Sequence, residues 1–173
     1  MSLRYRAPRG THDVLPEEAE RWRRDSGRVA RILNAEFWNE RLGYLHDRKL
    51  PDGRMDGPVT CNPAVPLLFG LLEPEKAQRC VDFLSSSAMR TDWGLRTTAS
   101  TDPSYNPAGY HEGTVWPLVT GWASLACYRN HRPEEGLRFL LANVELTRDF
   151  CLGFIPELLR GDRREALGCP HQL

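Results

Sequence analysis

The sequence has no excess of either charge and no long apolar run. Basic and acidic residues number 23 each, so the formal net charge is zero. A balanced charge gives no bulk attraction to nucleic acid or to an anionic membrane. No apolar stretch approaches the length of a membrane span, and residues 1–10 lack the apolar core of a signal peptide. We therefore expect no membrane partner, and the balanced charge argues against a nucleic-acid partner.

Closely spaced cysteines are also absent. The five cysteines are widely separated, odd in number and form no CxxC pair; they are Cys61, Cys80, Cys127, Cys151 and Cys169. This pattern argues against a disulfide framework or a zinc site and predicts a cytoplasmic location. The sequence has no phosphate-binding glycine loop and no nucleophile elbow. We expect no metal and no other cofactor, with Cys80 and Cys127 as small core residues.

Helical periodicity recurs along the chain, whereas no region is rich in strand-like alternation. Helices are predicted at about residues 17–38, 62–72, 74–89, 114–130 and 133–150, with Asn62 capping the second. Three of them have a clear apolar stripe that should face the core. The stripes are Ala77, Cys80, Val81 and Leu84; Val115, Leu118, Val119, Trp122, Leu125 and Ala126; and Leu137, Leu140, Leu141 and Val144.

Long irregular stretches separate these helices. Paired helices alternating with long loops are typical of helical barrels and toroids, in which the loops at one end build the site. The fold class predicted is therefore all-α. Five helices do not close such a ring, so we expect an incomplete barrel.

The stretch of residues 94–117 holds most of the residues that could carry chemistry. Prolines and glycines interrupt it after residue 102, which predicts irregular backbone. Long loops in compact domains are often functional. Carboxylates and amides bind hydroxyl groups, and flat rings cover the apolar face of a pyranose, so this composition suits a sugar. The candidate sugar contacts are Arg96, Asp102, Tyr110, His111, Glu112 and Trp116. A polar surface loop without a ligand is the alternative.

Glycoside hydrolysis requires two carboxyl groups, one on each side of the sugar ring. Asp102, Glu112 and Glu157 are the candidates, and Glu157 stands alone in the apolar segment FIPELL. An isolated carboxylate among apolar residues can be tuned by its environment. The alternatives are an ordinary exposed glutamate for Glu157, charge stabilisation at a helix N-terminus for Glu112, and core packing for Trp116. His111 has no second histidine at metal-ligand spacing.

Five segments carry a resemblance to a known family. They are AEFWNERLGYLHD (35–47), CNPAVPLLFGLL (61–72), WGLRTTASTDPSY (93–105), YHEGTVWPLVTG (110–121), and FIPELLRGD with GCPHQL (154–162 and 168–173). In this order and spacing they resemble the C-terminal part of prokaryotic glycogen-debranching enzymes of the amylo-alpha-1,6-glucosidase type. The resemblance implies an (α/α)6 barrel and inverting hydrolysis of α-1,6-linked glucose in glycogen or limit dextrin.

The same resemblance implies roles for particular residues. Glu157 matches the base carboxylate that activates water, and the segment from Tyr110 to Trp116 matches the lining of the sugar subsite. The region that supplies the acid in this family has no counterpart in the sequence. We therefore expect either an inactive fragment or a chain completed by an upstream half of the same barrel. A glucan-binding or assembly module without catalysis is the alternative.

A second resemblance covers the start of the chain. The segment RAPRGTHDVLPEEAERWR (6–23) resembles the extreme N-terminus of histidyl-tRNA synthetases. No later segment matches the ATP-binding or histidine-binding motifs of that family, so synthetase activity is not implied. The domain division predicted is a synthetase-like segment at 1–23 and a partial glycoside hydrolase domain at 24–173. A chimeric gene product without activity, or an RNA-binding module, stays open as an interpretation.

Overall fold

Five helices and four small hairpins make up the part of the chain that the computed structural model describes, residues 16–150 and 153–168. The helices are α1 (Pro16–Ala35), α2 (Ala64–Leu68), α3 (Pro74–Leu84), α4 (Pro117–Arg129) and α5 (Pro133–Asp149). Each strand has two residues, and each hairpin pairs consecutive strands in antiparallel fashion. The hairpins are β1 (Trp38–Asn39) with β2 (Tyr44–Leu45), β3 (Arg48–Lys49) with β4 (Met55–Asp56), β5 (Arg90–Thr91) with β6 (Gly94–Leu95), and β7 (Leu158–Leu159) with β8 (Ala166–Leu167).

The hairpins correct the predicted all-α fold class: the fold is mixed, with helices and small sheets. Strands of two residues cannot show an alternating pattern, so periodicity gave no sign of them. The five predicted helices are present, but several bounds differ. The third ends at Leu84 and the fourth begins at Pro117, which occupies the first helical turn where proline is tolerated. Asn62 is not a cap, since Pro63 precedes α2 without a capping side-chain bond.

The main core lies between α2, α3, α4 and α5. The predicted stripe of α3 is confirmed, because all four of its residues are buried. Cys80 and Cys127 are fully buried as expected, and burial raises the pKa of each thiol to about 12. Tyr44 is also fully buried, and its hydroxyl donates a hydrogen bond to the Thr60 carbonyl oxygen at 2.8 Å. This bond attaches the hairpin β1–β2 to the loop that precedes α2.

The apolar stripe predicted for α4 is correct only in part, and the one predicted for α5 is wrong. In the α4 stripe, Val115 and Ala126 are buried and Val119 packs against the core. Small side chains of α4 face the core, and the Ser124 hydroxyl donates to the Gly136 carbonyl oxygen across the two helices. The large side chains of α4 point outward, with Leu118, Trp122 and Leu125 between 38% and 56% exposed. On α5 the buried residues are Gly136, Phe139, Ala142 and Leu146, on the face opposite the predicted stripe. The small residues Ser124 and Gly136 let α4 and α5 approach closely, and a rule based on the largest apolar side chains does not detect them. Phe139 and Leu146 are large and buried, and the predicted stripe leaves them out.

Helix α1 is attached to the rest through its C-terminal end. It has no fully buried residue, and Trp22 is 62% exposed. Asn34 anchors it, because its amide nitrogen donates to the Leu71 carbonyl oxygen and its amide oxygen accepts from the Glu73 N–H. Among the described residues, no helix combines the length and the apolar composition that crossing a membrane requires.

Candidate active site

Backbone hydrogen bonds join the two loops that hold the candidate residues. Val115 and Leu159 exchange two N–H···O=C bonds of 2.8 Å. The Gly161 N–H donates to the Pro107 carbonyl oxygen at 2.9 Å. The Trp93 indole N–H donates to the Arg160 carbonyl oxygen at 2.9 Å. These contacts hold the segment around residues 157–161 against residues 93–115.

This junction brings Glu157 to Tyr110. The Tyr110 hydroxyl donates a hydrogen bond of 2.5 Å to Glu157 Oε1. The bond to the carboxylate favours the protonated phenol and raises the pKa of Tyr110, with burial as a smaller cause. On the other side, a side chain at Gly168 would approach Glu157 Oε2 to 2.9 Å. The half-buried carboxylate of Glu157 is thus hydrogen-bonded by Tyr110 and lies close to Gly168.

Tyr110, which hydrogen-bonds this carboxylate, belongs to a cluster of three aromatic rings. Tyr110 makes edge contacts with His111 and Trp116, each with ring centroids 4.7 Å apart, and His111 stacks on Trp116 at 5.1 Å. The Trp116 indole N–H donates to the Tyr110 carbonyl oxygen at 2.9 Å, which fixes the ring. Trp116 is half-buried at the surface of the site instead of packed in the core. The cluster presents flat apolar faces with polar edges, as a sugar ring requires.

A cleft of about 340 Å³ opens beside His111 and Trp116. Its size falls within the range typical of small-molecule sites. Its walls are formed by Thr60, Cys61, Asn62, Thr97, His111, Trp116, Leu118, Val119 and Trp122. Thr60 and Asn62 are held there by Asp47, whose Oδ1 accepts a hydrogen bond from each side chain at 3.0 and 2.9 Å. Sequence patterns contain no signal for the walls from Thr60 and Asn62, because the loop before α2 meets the loop before α4 only in the folded chain.

Arg96 and Asp102 bind the loop backbone. The Arg96 guanidinium donates to the carbonyl oxygens of Gly161 and Ser87, both at 2.8 Å. The Asp102 carboxylate accepts from the Val59 N–H at 2.9 Å and from Ser104. Partial burial would raise the pKa of Asp102, but the hydrogen bonds from Ser104 and Val59 outweigh it and lower the pKa. Direct contact of either residue with a sugar stays a prediction.

Glu112 is exposed and lies over the turn before it. Its Oε2 accepts a long hydrogen bond of 3.5 Å from the Asn106 amide. Because α4 begins at Pro117, the interpretation of Glu112 as a first-turn charge is wrong. Its prediction as a sugar contact remains untested.

Metal and thiol chemistry have little support in the described ranges. Residues 16–150 and 153–168 contain no group of three or more His, Cys, Asp or Glu side chains placed to hold a metal ion. Cys61 lines the cleft, but burial raises the pKa of its thiol to about 12, so it is protonated at neutral pH. Cys151 and Cys169 lie outside the described residues.

The features of the site define a class of protein. Helices carry long loops, and these loops place one restricted carboxylate beside stacked rings and an open cleft. This is the arrangement of a glycoside hydrolase domain, in which a carboxylate acts on a sugar held against aromatic side chains.

The family model described as mannosylglycerate hydrolase MGH1-like glycoside hydrolase domain matches residues 11–149. The match covers most of the chain, and the chain belongs to this family. It overlaps the segment 6–23 that resembles histidyl-tRNA synthetases, of which residues 6–15 lie outside the described structure. It ends before Glu157. No curated protein matches the chain.

Solved structures show a similar fold. The GH63 mannosylglycerate hydrolase from Thermus thermophilus in complex with glucose has a TM-score of 0.73 and 19% identity over 89% of this chain. The same enzyme with Tris and D-glycerate has a TM-score of 0.74 and 19% identity over 90%. A sialidase has a TM-score of 0.69 and 15% identity over 91% of this chain, which is 16% of its own. The chain spans 37% of the length of the Thermus enzyme.

The pairing of Tyr110 with Glu157 makes a spectroscopic prediction. Replacement of Glu157 by Gln removes the charged acceptor, so the pKa of Tyr110 should fall toward the ordinary value of about 10. Tyrosinate absorbance followed between pH 8 and 13 measures this shift, and Tyr110→Phe assigns the transition. The Tyr110–Glu157 hydrogen bond stabilises the folded state fully below the pKa that Tyr110 has in the unfolded chain. This stabilisation is lost as the pH rises through the higher pKa that Tyr110 has in the folded chain. An unchanged titration in Glu157→Gln would contradict the bond.

Close packing at the loop junction predicts that Gly161 does not tolerate a side chain. A Cβ at Gly161 would overlap the Gly113 carbonyl oxygen. Gly161→Ala should therefore lower the free energy of unfolding by about 3 kcal/mol. Gly27→Ala is the matched control, since its Cβ would meet only Arg31 at 3.8 Å, and it should raise stability by up to about 1 kcal/mol. Chemical denaturation measures the free energy of unfolding of both variants. Equal values for Gly161→Ala and the wild type would contradict the close packing at Gly161.

Proposed function

We propose that this chain carries the base-bearing part of a glycoside hydrolase active site. The observation that carries the proposal is the carboxylate of Glu157, restricted by Tyr110 and placed beside the stacked rings of His111 and Trp116. In an inverting mechanism the base accepts a proton from the water that attacks the anomeric carbon. Tyr110 is protonated at neutral pH, as any phenol with an ordinary or raised pKa is, and its hydroxyl donates to Glu157. Glu157 is then the group that receives the proton from water.

The acid that protonates the leaving oxygen comes, in this proposal, from outside the chain described. Two carboxyl groups are needed, and the other two candidates already have loop partners: Asp102 accepts from Val59 and Ser104, and Glu112 accepts a long hydrogen bond from Asn106. The resemblance to debranching enzymes implies that the acid lies in an upstream half of an (α/α)6 barrel. We propose that the chain forms an incomplete ring of this kind. The chain spans 37% of the length of the Thermus enzyme, which is consistent with a partial ring.

An apolar surface next to the cleft supports this arrangement. The cleft-side surface consists of Val65, Phe69, Leu118, Trp122 and Leu125, which are 37% to 65% exposed. Leu118 and Trp122 also line the cleft. Helix α4 is apolar on its inner and its outer face, and a helix of this kind is usually buried on both faces. An upstream half docked here would cover the surface and close the open side of the cleft.

The substrate proposed is α-1,6-linked glucose in glycogen or limit dextrin. It rests on the resemblance to debranching enzymes, whereas the family description names mannosylglycerate, which carries a carboxylate. Recognition of that anion would favour an arginine or lysine at the cleft. The residues that line the cleft include neither. A neutral glucan therefore fits the described walls better.

The isolated chain should release no glucose from limit dextrin, because one carboxylate cannot supply both proton transfers. Reducing-sugar and glucose assays measure this directly. Addition of a separately produced upstream region of a debranching enzyme should be required for any release. If the isolated chain is active and Glu157→Gln abolishes the activity, the base assignment is correct and the requirement for a second half is wrong. Activity that survives Glu157→Gln would refute the base assignment.

A glucan-binding module without catalysis is the second candidate. The complete aromatic cluster and the cleft favour it, because sugar binding requires no acid. Maltooligosaccharide should then bind the isolated chain, and Trp116→Ala should weaken binding by about tenfold. Trp22→Ala is the control, because Trp22 lies exposed on α1. Titration calorimetry compares the two; equal affinities of both variants would rule out sugar stacking on Trp116.

A further inference from the structure

A second apolar surface lies on α5, away from the cleft walls. The outer seam consists of Leu137, Leu140, Leu141 and Val144, which are 40% to 47% exposed. Their spacing of i, i+3, i+4 and i+7 places them on one face of the helix. The opposite face of α5 is buried against the core. The outer seam is therefore a continuous apolar stripe on an otherwise ordinary surface helix.

Opposite charges mark the two ends of this stripe. Glu134 lies three residues before Leu137, and Arg148 lies four residues after Val144, so both continue the same helical face. Both are exposed, and neither forms an ion pair with any residue in the described ranges. By contrast, the adjacent acidic residues Glu135 and Asp149 do form ion pairs, with Arg132 and Arg164 respectively. The seam thus has a negative end and a positive end that are both available.

The order of residues along the seam is symmetric. The intervals between the four apolar residues are three, one and three, the same in both directions. When two copies of α5 lie antiparallel across a two-fold axis, Leu137 meets Val144 of the other copy and Leu140 meets Leu141. Glu134 then approaches Arg148 of the other copy at each end, about 21 Å apart along the helix. Every apolar group and both end charges find a complementary partner.

We propose that the outer seam is the interface of a homodimer, in which two copies of this chain pair through antiparallel α5 helices. The self-complementary spacing and the paired end charges argue for a second copy over another partner. The cleft-side surface has no such symmetric pattern and stays available to the upstream half of the barrel. The dimer does not depend on the function proposed above.

Sedimentation velocity over a concentration series tests the interface. The wild-type chain should show a reversible monomer–dimer equilibrium. In the dimer, Leu141→Glu places two like charges, one from each copy, next to the two-fold axis. It should therefore weaken dimerisation by more than about a hundredfold. Leu125→Glu is the matched control, since Leu125 is 56% exposed on α4 in the cleft-side surface, and it should dimerise as the wild type does. Circular dichroism should show that both variants retain the helical content.

Charge reversal tests the antiparallel geometry. Glu134→Arg and Arg148→Glu should each weaken dimerisation by about three- to tenfold, because like charges then meet at both ends. The double variant restores opposite charges and should recover most of the wild-type affinity. A monomeric wild type at all concentrations, or loss of the dimer in Leu125→Glu alone, would overturn the proposal. A double variant no better than the single ones would also overturn it.

Discussion

The position of Glu157 relative to the aromatic cluster depends on the paired backbone bonds between Val115 and Leu159. Both residues are fully buried and pack with Leu146 of α5 in a small second core. Leu159 lies two residues after Glu157, and Val115 precedes Trp116 directly. The distance between the base candidate and the aromatic rings is thus set by main-chain geometry and by the C-terminal part of α5. Buried backbone groups must be paired, so this junction has little freedom to open.

Polar residues in long loops have two possible uses that a sequence cannot distinguish. Irregular backbone leaves many carbonyl and amide groups without the partners that a helix provides. Arg96 and Asp102 meet that need, the first by donating to carbonyl oxygens and the second by accepting from backbone N–H groups. The same donors and acceptors would serve a sugar hydroxyl equally well. Only the folded contacts show that these two are already engaged, whereas Tyr110 donates to Glu157 and its ring contacts His111 and Trp116.

Much of the helical framework could be predicted from local patterns. Proline at the first turn marks the predicted starts of α3 and α5, and the stripe of α3 follows the expected period. The inward face of α4 could be predicted only in part, because small residues occupy much of it. On α5, large apolar residues lie on both faces, so the pattern alone does not show which face is buried. The hairpins are too short to leave a pattern. For the site, composition and resemblance led to the loop of residues 94–117 and to Glu157, but the walls from Thr60 and Asn62 depend on contacts between distant parts of the chain.

The two exposed apolar surfaces differ in what a covering partner would change. The cleft-side surface borders the cleft through Leu118 and Trp122, so whatever covers it also changes how open the cleft is. A base that activates a single water needs a positioned water and a second carboxylate on the opposite side of the sugar. No residue of α5 lines the cleft, but the outer seam shares its helix with Leu146, which packs under the Val115–Leu159 junction. Pairing of α5 across a two-fold axis would therefore restrain the helix that packs behind the segment of Glu157, the proposed base.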